Sequence, residues 1–133
     1  MKYDFSINKR TIIFFAKIKG LNDEKSVKFI LDTGATKSII DKGTAINLGF
    51  DLKKLEKGDR LMTAGGGVSS KTLKLPKISL FGKDIINFEV NVLNLPFQIT
   101  YFADGLIGMD ILLQFNSLKF DFDNKTIETF LNN

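Results

Sequence analysis

The sequence predicts a single all-β domain with one or two short helices, and three features predict it. Runs rich in β-branched and aromatic residues recur along the chain, among them "TIIFFAKIK" at 11–19 and "IINFEVNVL" at 85–93. Turn-forming clusters separate them, with eleven Gly against two Pro. The length, 133 residues, closes one hydrophobic core but is too short for two full lobes. With no repeat, linker or low-complexity tract, residues 1–133 read as one domain.

The elements follow in order. The run at 11–19 and "SVKFIL" at 26–31 flank the turn-like "GLNDEK", so they read as a β-hairpin, and Asp32 then sits just past a strand end. "DKGTAINL" at 41–48, followed by Gly49, reads as a short helix with Gly at its C-terminal cap, despite the poor helix former Gly43. From 61 to 93 the chain reads as strands: "LMTA", then "GGGVSS", then "KTLKLPKISLF", a turn at Gly82-Lys83-Asp84, and "IINFEVNVL". Pro76 argues against a long helix there. "ILLQF" makes one or two helical turns, and "LKFDFDNKTIETFL" alternates around an Asp-Asn-Lys turn as a closing hairpin.

Composition removes most catalytic chemistries. The chain has no Cys and no His, which excludes disulfides, thiolate nucleophiles, imidazole bases and the commonest zinc ligands. Carboxylates remain as the acid-base groups, with Lys or Tyr behind them. No metal and no cofactor is expected. The longest apolar stretch, "IIFFA" at 12–16, is far short of the roughly 20 residues a membrane helix needs. No secretory signal pattern opens the chain, so the default expectation is a cytoplasmic protein with no membrane partner. Residues 1–83 hold 17 basic and 8 acidic side chains and residues 84–133 hold 2 and 7, a split of +9 and −5. The lysines are scattered without interleaved aromatics, so a nucleic-acid partner is not expected and the charge reads as solvated surface.

The candidate site begins in "FILDTGATKSII" at 29–40, where an apolar strand runs into Asp32-Thr33-Gly34. Taken alone, the triplet reads as a strand-to-turn junction. Its context is more specific: Ala35-Thr36 follow, a glycine-rich hairpin candidate comes next, and "DGLIGMDIL" at 104–112 places two apolar residues before Gly108.

This ordered set resembles the retropepsin-like aspartic proteases, over roughly residues 10–130. The resemblance implies a closed-barrel-like β-fold in which each chain contributes one catalytic aspartate, and two chains complete the site as a homodimer acting on an extended peptide. It assigns Asp32 as the catalytic group, with Thr33, Gly34 and Ala35 in support. Thr33 corresponds to the hydroxyl that braces two active-site loops. Gly65, Gly66 and Gly67 correspond to the tip of a flap, reached through Ala64. Leu106-Ile107-Gly108 corresponds to the buried strand beneath the active-site loop, and Asp104 and Leu106 complete the expected substrate-binding set.

Elementary chemistry suits that assignment. Two carboxylates a few ångströms apart cannot both ionise cheaply, so they share a proton and titrate as a pair; aspartic proteases are the standard instance of this behaviour. One then deprotonates a water while the other donates to the scissile carbonyl. Only one Asp-[Thr/Ser]-Gly triplet exists in the chain, so the second carboxylate has to come from another copy. The same scaffold without turnover, a peptide-binding or dimerisation module, is the alternative.

The sequence departs from the viral pattern at Thr36 and Met109, which stand where viral members usually carry Asp and Arg. Both partners of that ion pair are absent together, so neither charge is left unpaired. The pattern indicates a cellular or bacterial branch.

Two other motifs are weaker. "GGGVSSKT" at 65–72 lacks the glycine and the following helix of a phosphate-binding loop. "DFDNKT" at 121–126 lacks the glycine and terminal Glu of a calcium loop and is better read as a turn. Asp104 and Asp110 read, at their simplest, as a turn former and a helix N-cap.

Overall fold

The computed structural model describes residues 1–58, 60–63 and 66–130. In chain order it runs β1 (Lys2–Asp4), β2 (Ser6–Asn8), β3 (Thr11–Lys19), β4 (Glu24–Leu31), β5 (Ile39–Asp41), α1 (Lys42–Asn47), a 3-10 turn (Leu52–Lys54), β6 (Glu56–Lys57), β7 (Leu61–Thr63) and β8 (Gly66–Val68). It continues with β9 (Lys71–Leu80), β10 (Lys83–Leu93), α2 (Phe97–Thr100), β11 (Gly105–Ile107), α3 (Met109–Leu112), β12 (Ser117–Asp121) and β13 (Thr126–Phe130). No helix among the described residues is long and apolar enough to cross a membrane.

The large sheet has the order β2-β3-β4-β11-β5-β10-β9-β6, and β3 pairs with β9 as well. Strands β3, β4, β11, β5, β10 and β9 thus close into a six-stranded barrel, the closed β architecture the sequence implied. One edge of β3 carries the β4 ladder, and the other is shared, because β2 covers only Thr11–Ile13 of it and leaves Lys17–Lys19 for β9. Phe14, Ala16 and Ile18 point inward and are buried, while Phe15, Lys17 and Lys19 stay exposed.

The β3–β4 and β9–β10 hairpins and the β12–β13 closing hairpin fall where the alternating runs place them. The β9–β10 turn centres on Phe81 and Gly82, one residue earlier than predicted, both with positive φ as a two-residue hairpin turn requires. Pro76 lies inside β9, between the Leu75↔Phe88 and Lys77↔Ile86 pairs. The residue across from it, Asn87, adopts φ 52°, so the ladder bends where proline offers no N–H.

Helix α1 is capped as its sequence dictates. The Asp41 side chain accepts from Gly43 N, and Gly49 follows the last turn at φ 95°. Several short elements carry too few residues for a periodic signal: β1, β2, β5, β6 and α2 were not anticipated. Asp41, read as the first helical residue, is the last residue of β5 and the N-cap.

The core has two parts. The larger joins Phe14, Phe29, Ile18, Leu75, Ile78, Ile107, Ile111 and Ile127 across the barrel, and the smaller gathers Ile39, Leu93, Leu95 and Leu106. Phe14 is 2 % exposed, and its ring centroid lies 4.7 Å from Phe81 and 6.4 Å from Phe29. Replacing it with Ala should cost about 3–5 kcal/mol through lost transfer energy and an unfilled cavity. Urea unfolding would show this as a lower midpoint at unchanged slope.

The separate three-stranded sheet has the order β1-β13-β12. In the β12–β13 turn the Asp121 carboxylate accepts from both the backbone and the side-chain amide of Asn124, at 3.0 and 2.8 Å. These bonds hold its pKa below the usual carboxylate range. A depressed folded-state pKa contributes stability above the unfolded value, and that contribution fades as pH falls through the folded one. Residues 121–126 form this turn, as the simpler sequence reading held.

Candidate active site

Strand β11 lies between β4 and β5, parallel to the first and antiparallel to the second. The chain leaves β4 at Leu31, crosses the end of β11 as residues 32–38, and returns as β5. Gly108, at that end, lets the loop cross, since a Cβ on it would lie 2.6 Å from the Ala35 carbonyl oxygen, and Gly105, at the other end of β11, lets the strand itself fit between its neighbours. A Cβ on Gly105 would strike the Ile39 carbonyl oxygen and come within 2.8 Å of the Phe29 ring.

The crossing loop is pinned from below. Asp32 N donates to Ile107 O at 2.9 Å, and Met109 N donates to Ala35 O at 2.8 Å. Ala35 N in turn donates to Asp32 O at 3.1 Å. Gly34 N donates to Asp32 Oδ1 at 2.9 Å, which fixes the carboxylate over its own loop. A Cβ on Gly34 would sit 3.2 Å from that same oxygen. Asp32 is half-buried, while Thr33 and Gly34 are exposed. Among the described residues the Thr33 hydroxyl has no hydrogen-bond partner.

Asp32 and Thr33 form part of the wall of an open cleft of about 530 Å³, shared with Arg10, Thr11, Ile12, Ile30, Leu31, Phe120 and Phe122. Arg10 reaches it from the β2–β3 turn, where Lys9 and Arg10 both have positive φ. A neighbouring pocket of about 280 Å³ is lined by Ile13, Ile30, Ile99 and Phe102 among others. The cleft is therefore apolar along much of its length, with Asp32 and Arg10 as the charged residues of its wall.

Sequence reasoning missed a buried brace beneath the crossing loop. Ser38 is 1 % exposed. Its hydroxyl donates to Asp110 Oδ1 at 2.7 Å and accepts from Gly108 N at 3.0 Å, while Ser38 N donates to Asp110 Oδ2 at 2.9 Å. Asp110 is thus not the N-cap of α3, a position Gly108 occupies; it sits in the first turn and ties that helix to the crossing loop. Thr36 is exposed and takes no part in this brace. Ser38→Ala leaves the buried Gly108 N–H without its acceptor, so stability should fall by about 1–3 kcal/mol. Thermal unfolding read beside Ser38→Thr, which keeps the hydroxyl, checks this.

The other predicted positions scatter. Asp104 is half-buried and spent locally. Its Oδ2 accepts from Lys28 N at 3.1 Å, its N–H donates to Lys28 O at 2.7 Å, and its carbonyl accepts from Asp41 N at 3.0 Å. These bonds lace the start of β11 to both neighbours. Leu106 is buried in the smaller core cluster, below the floor. Gly66 and Gly67 belong to the β7–β8 hairpin, whose Leu61 and Val68 pack on that cluster. Gly66 has φ 110°, and Arg60 Nη2 donates to Gly67 O at 3.2 Å. Ala64 and Gly65 lie outside the described residues.

A closed barrel whose floor strand carries an Asp-Thr-Gly crossing is the architecture of retropepsin-like aspartic proteases. The chain belongs to the aspartyl protease family, whose sequence model matches residues 16–111. It is 31% identical over 97 residues to the uncharacterized protein RP867 of Rickettsia prowazekii (strain Madrid E), which covers 73% of this chain and 39% of that protein. The chain thus spans well under half the length of that curated relative. Among solved structures it resembles a retropepsin-like aspartic protease from Rickettsia conorii, with a TM-score of 0.72 at 25% identity over 96% of this chain and 88% of the other. EIAV protease complexed with the inhibitor HBY-793 shares the fold at TM-score 0.63 and 20% identity, over 80% of this chain and 88% of the other. So does the retroviral protease-like domain of Ddi1 from Leishmania major, at TM-score 0.59 and 22% identity over 92% and 96%.

Proposed function

We propose that the protein is an aspartic endopeptidase that works as a homodimer, hydrolysing peptide bonds with water activated between Asp32 and Asp32 of a second copy. The observation that carries this reading is a single half-buried carboxylate, oriented by Gly34 N, on the wall of an open cleft. One acid cannot both take a proton from water and give one to the carbonyl in the same step. Two facing copies can, because the pair retains one shared proton.

In this mechanism the ionised member accepts a proton as water attacks the scissile carbonyl carbon, and the protonated member donates to the carbonyl oxygen. Collapse of the tetrahedral intermediate breaks the C–N bond, and the proton passes to the leaving amine. Gly34 N holds the charged oxygen in line, and Thr33 braces the two loops across the axis. The apolar walls from Ile12, Ile13, Ile30 and Ile99 receive an extended chain, and the β7–β8 hairpin serves as the flap that excludes water.

A fluorogenic peptide library assayed from about pH 3 to 7, with and without pepstatin, tests this reading. Pepstatin-sensitive cleavage with a bell-shaped pH profile is expected. Peptide binding without turnover across that range would instead support the non-catalytic module.

A further inference from the structure

Away from the Asp32 cleft, two lysines face each other across a strand pair: Lys57 of β6 is the direct partner of Lys71 of β9. Like charges set opposite each other destabilise a sheet. Lys42, the first residue of α1, brings a third ammonium, and all three line one pocket of about 330 Å³. We propose that this pocket binds a small organic phosphate, with the dianionic head among the three lysines and an apolar body against Leu55 and Val92.

No acid offsets this charge. Among the described residues none of the three lysines is in an ion pair, and no carboxylate lines the pocket. The acids nearest along the chain are spent elsewhere. Asp41 accepts from Gly43 N and Leu95 N at 3.1 and 2.9 Å, and Asp51 accepts from Lys53 N at 3.0 Å. Glu56, beside Lys57, stands opposite Thr72 and not opposite a lysine.

The walls are fixed before a ligand arrives. Lys71 is half-buried, and its Nζ donates to Leu52 O at 2.7 Å, which orients the ammonium and leaves its other N–H groups for an anion. Lys42 is half-buried as well. Ser70 is 3 % exposed and held by its neighbours: its carbonyl accepts from Gly58 N and its hydroxyl from Asn91 Nδ2, both at 2.9 Å. Ser69 is exposed and adds a hydroxyl to the rim. Val92 is buried and Leu55 packs on the larger core cluster, so the floor is apolar.

Charge and volume select the ligand. A phosphate monoester carries about −1.5 to −2 at pH 7 and presents three acceptor oxygens, which suits three cations better than a single carboxylate does. The volume falls within the range of about 300–1,000 Å³ common to small-molecule sites, so there is room for a body beyond the phosphate itself. Ser69, Ser70 and Lys71 belong to the "GGGVSSKT" run, but strand β9 follows it where a phosphate-binding loop needs a helix. Lysine ammoniums, not loop amides, hold the anion here.

Thermal unfolding of the full chain at about pH 7.5, with phenyl phosphate as the probe, tests the site. Saturating phenyl phosphate should raise the melting temperature by about 3 °C or more, because a ligand that binds only the folded chain stabilises it. Inorganic phosphate should raise it less, and benzyl alcohol should leave it unchanged. Sodium chloride at matched ionic strength should not reproduce the rise, which separates binding from screening of the facing lysines. Lys57→Gln removes one of those charges, so without ligand it should melt at or above the wild-type temperature, and it should bind phenyl phosphate at least about tenfold more weakly. Lys119→Gln, on β12, should bind as the wild type does. An unmoved melting temperature, a rise matched by sodium chloride, or a full response or lower ligand-free melting in Lys57→Gln overturns the site. An equal effect of inorganic phosphate overturns the apolar half of the assignment. None of these readouts involves peptide cleavage, so they hold whether or not Asp32 is catalytic.

Discussion

Asp32→Asn should abolish peptide hydrolysis, by at least about 10³-fold, while leaving circular dichroism and the unfolding midpoint close to wild type. The fold tolerates the change because an amide oxygen can still accept from Gly34 N, the carboxylate's hydrogen bond to its own loop. What is lost is the shared proton. The decisive form of the experiment mixes the two chains. In an equal mixture that has exchanged subunits, about a quarter of dimers are wild type on both sides, so activity should fall to about a quarter. A monomeric enzyme would keep about half. Cleavage surviving in pure Asp32→Asn would remove this residue from the chemistry.

Gly105→Val should prevent folding altogether. The added atoms would meet the Ile39 carbonyl oxygen and the Phe29 ring at the one strand that both β4 and β5 pair with. Overpacking typically costs about 1–3 kcal/mol, and here backbone has to move as well, so the penalty is a large part of a total stability of about 5–15 kcal/mol. The expected result is insoluble protein, or soluble protein without a cooperative transition. Gly34→Ala provides the contrast. Its Cβ would meet only the Asp32 carboxylate oxygen, at 3.2 Å, so the variant should fold and lose activity. A folded, cooperative Gly105→Val would show that β11 is packed between β4 and β5 more loosely than its contacts indicate.

The two glycines show how far a sequence can be read. Gly34 declared itself through its neighbours Asp32 and Thr33, a pattern local enough to see. Gly105 looked like half of an Asp-Gly turn. Its role depends on Ile39 and Phe29, which approach it only when β11 slots between their strands. The long hairpins were legible for a related reason: nine to eleven residues of β3, β9 or β10 give several cycles of alternation. Three-residue strands such as β5 and β11 give barely one. Ser38 and Asp110 stand 72 residues apart, and no spacing rule connects a serine to an acid at that distance.

By itself the amino-acid order determined the β class, and it pointed to the carboxylate chemistry and the second copy that the proposed function invokes. Each follows from counting what is present: alternating apolar runs, no imidazole or thiol, one Asp-Thr-Gly. Tertiary structure alone decided which groups share a cleft with Asp32, namely Arg10 from a left-handed turn and Phe120 and Phe122 from the β12–β13 hairpin. Composition survives any rearrangement of the chain, but a cleft exists only where barrel closure brings distant segments within contact range.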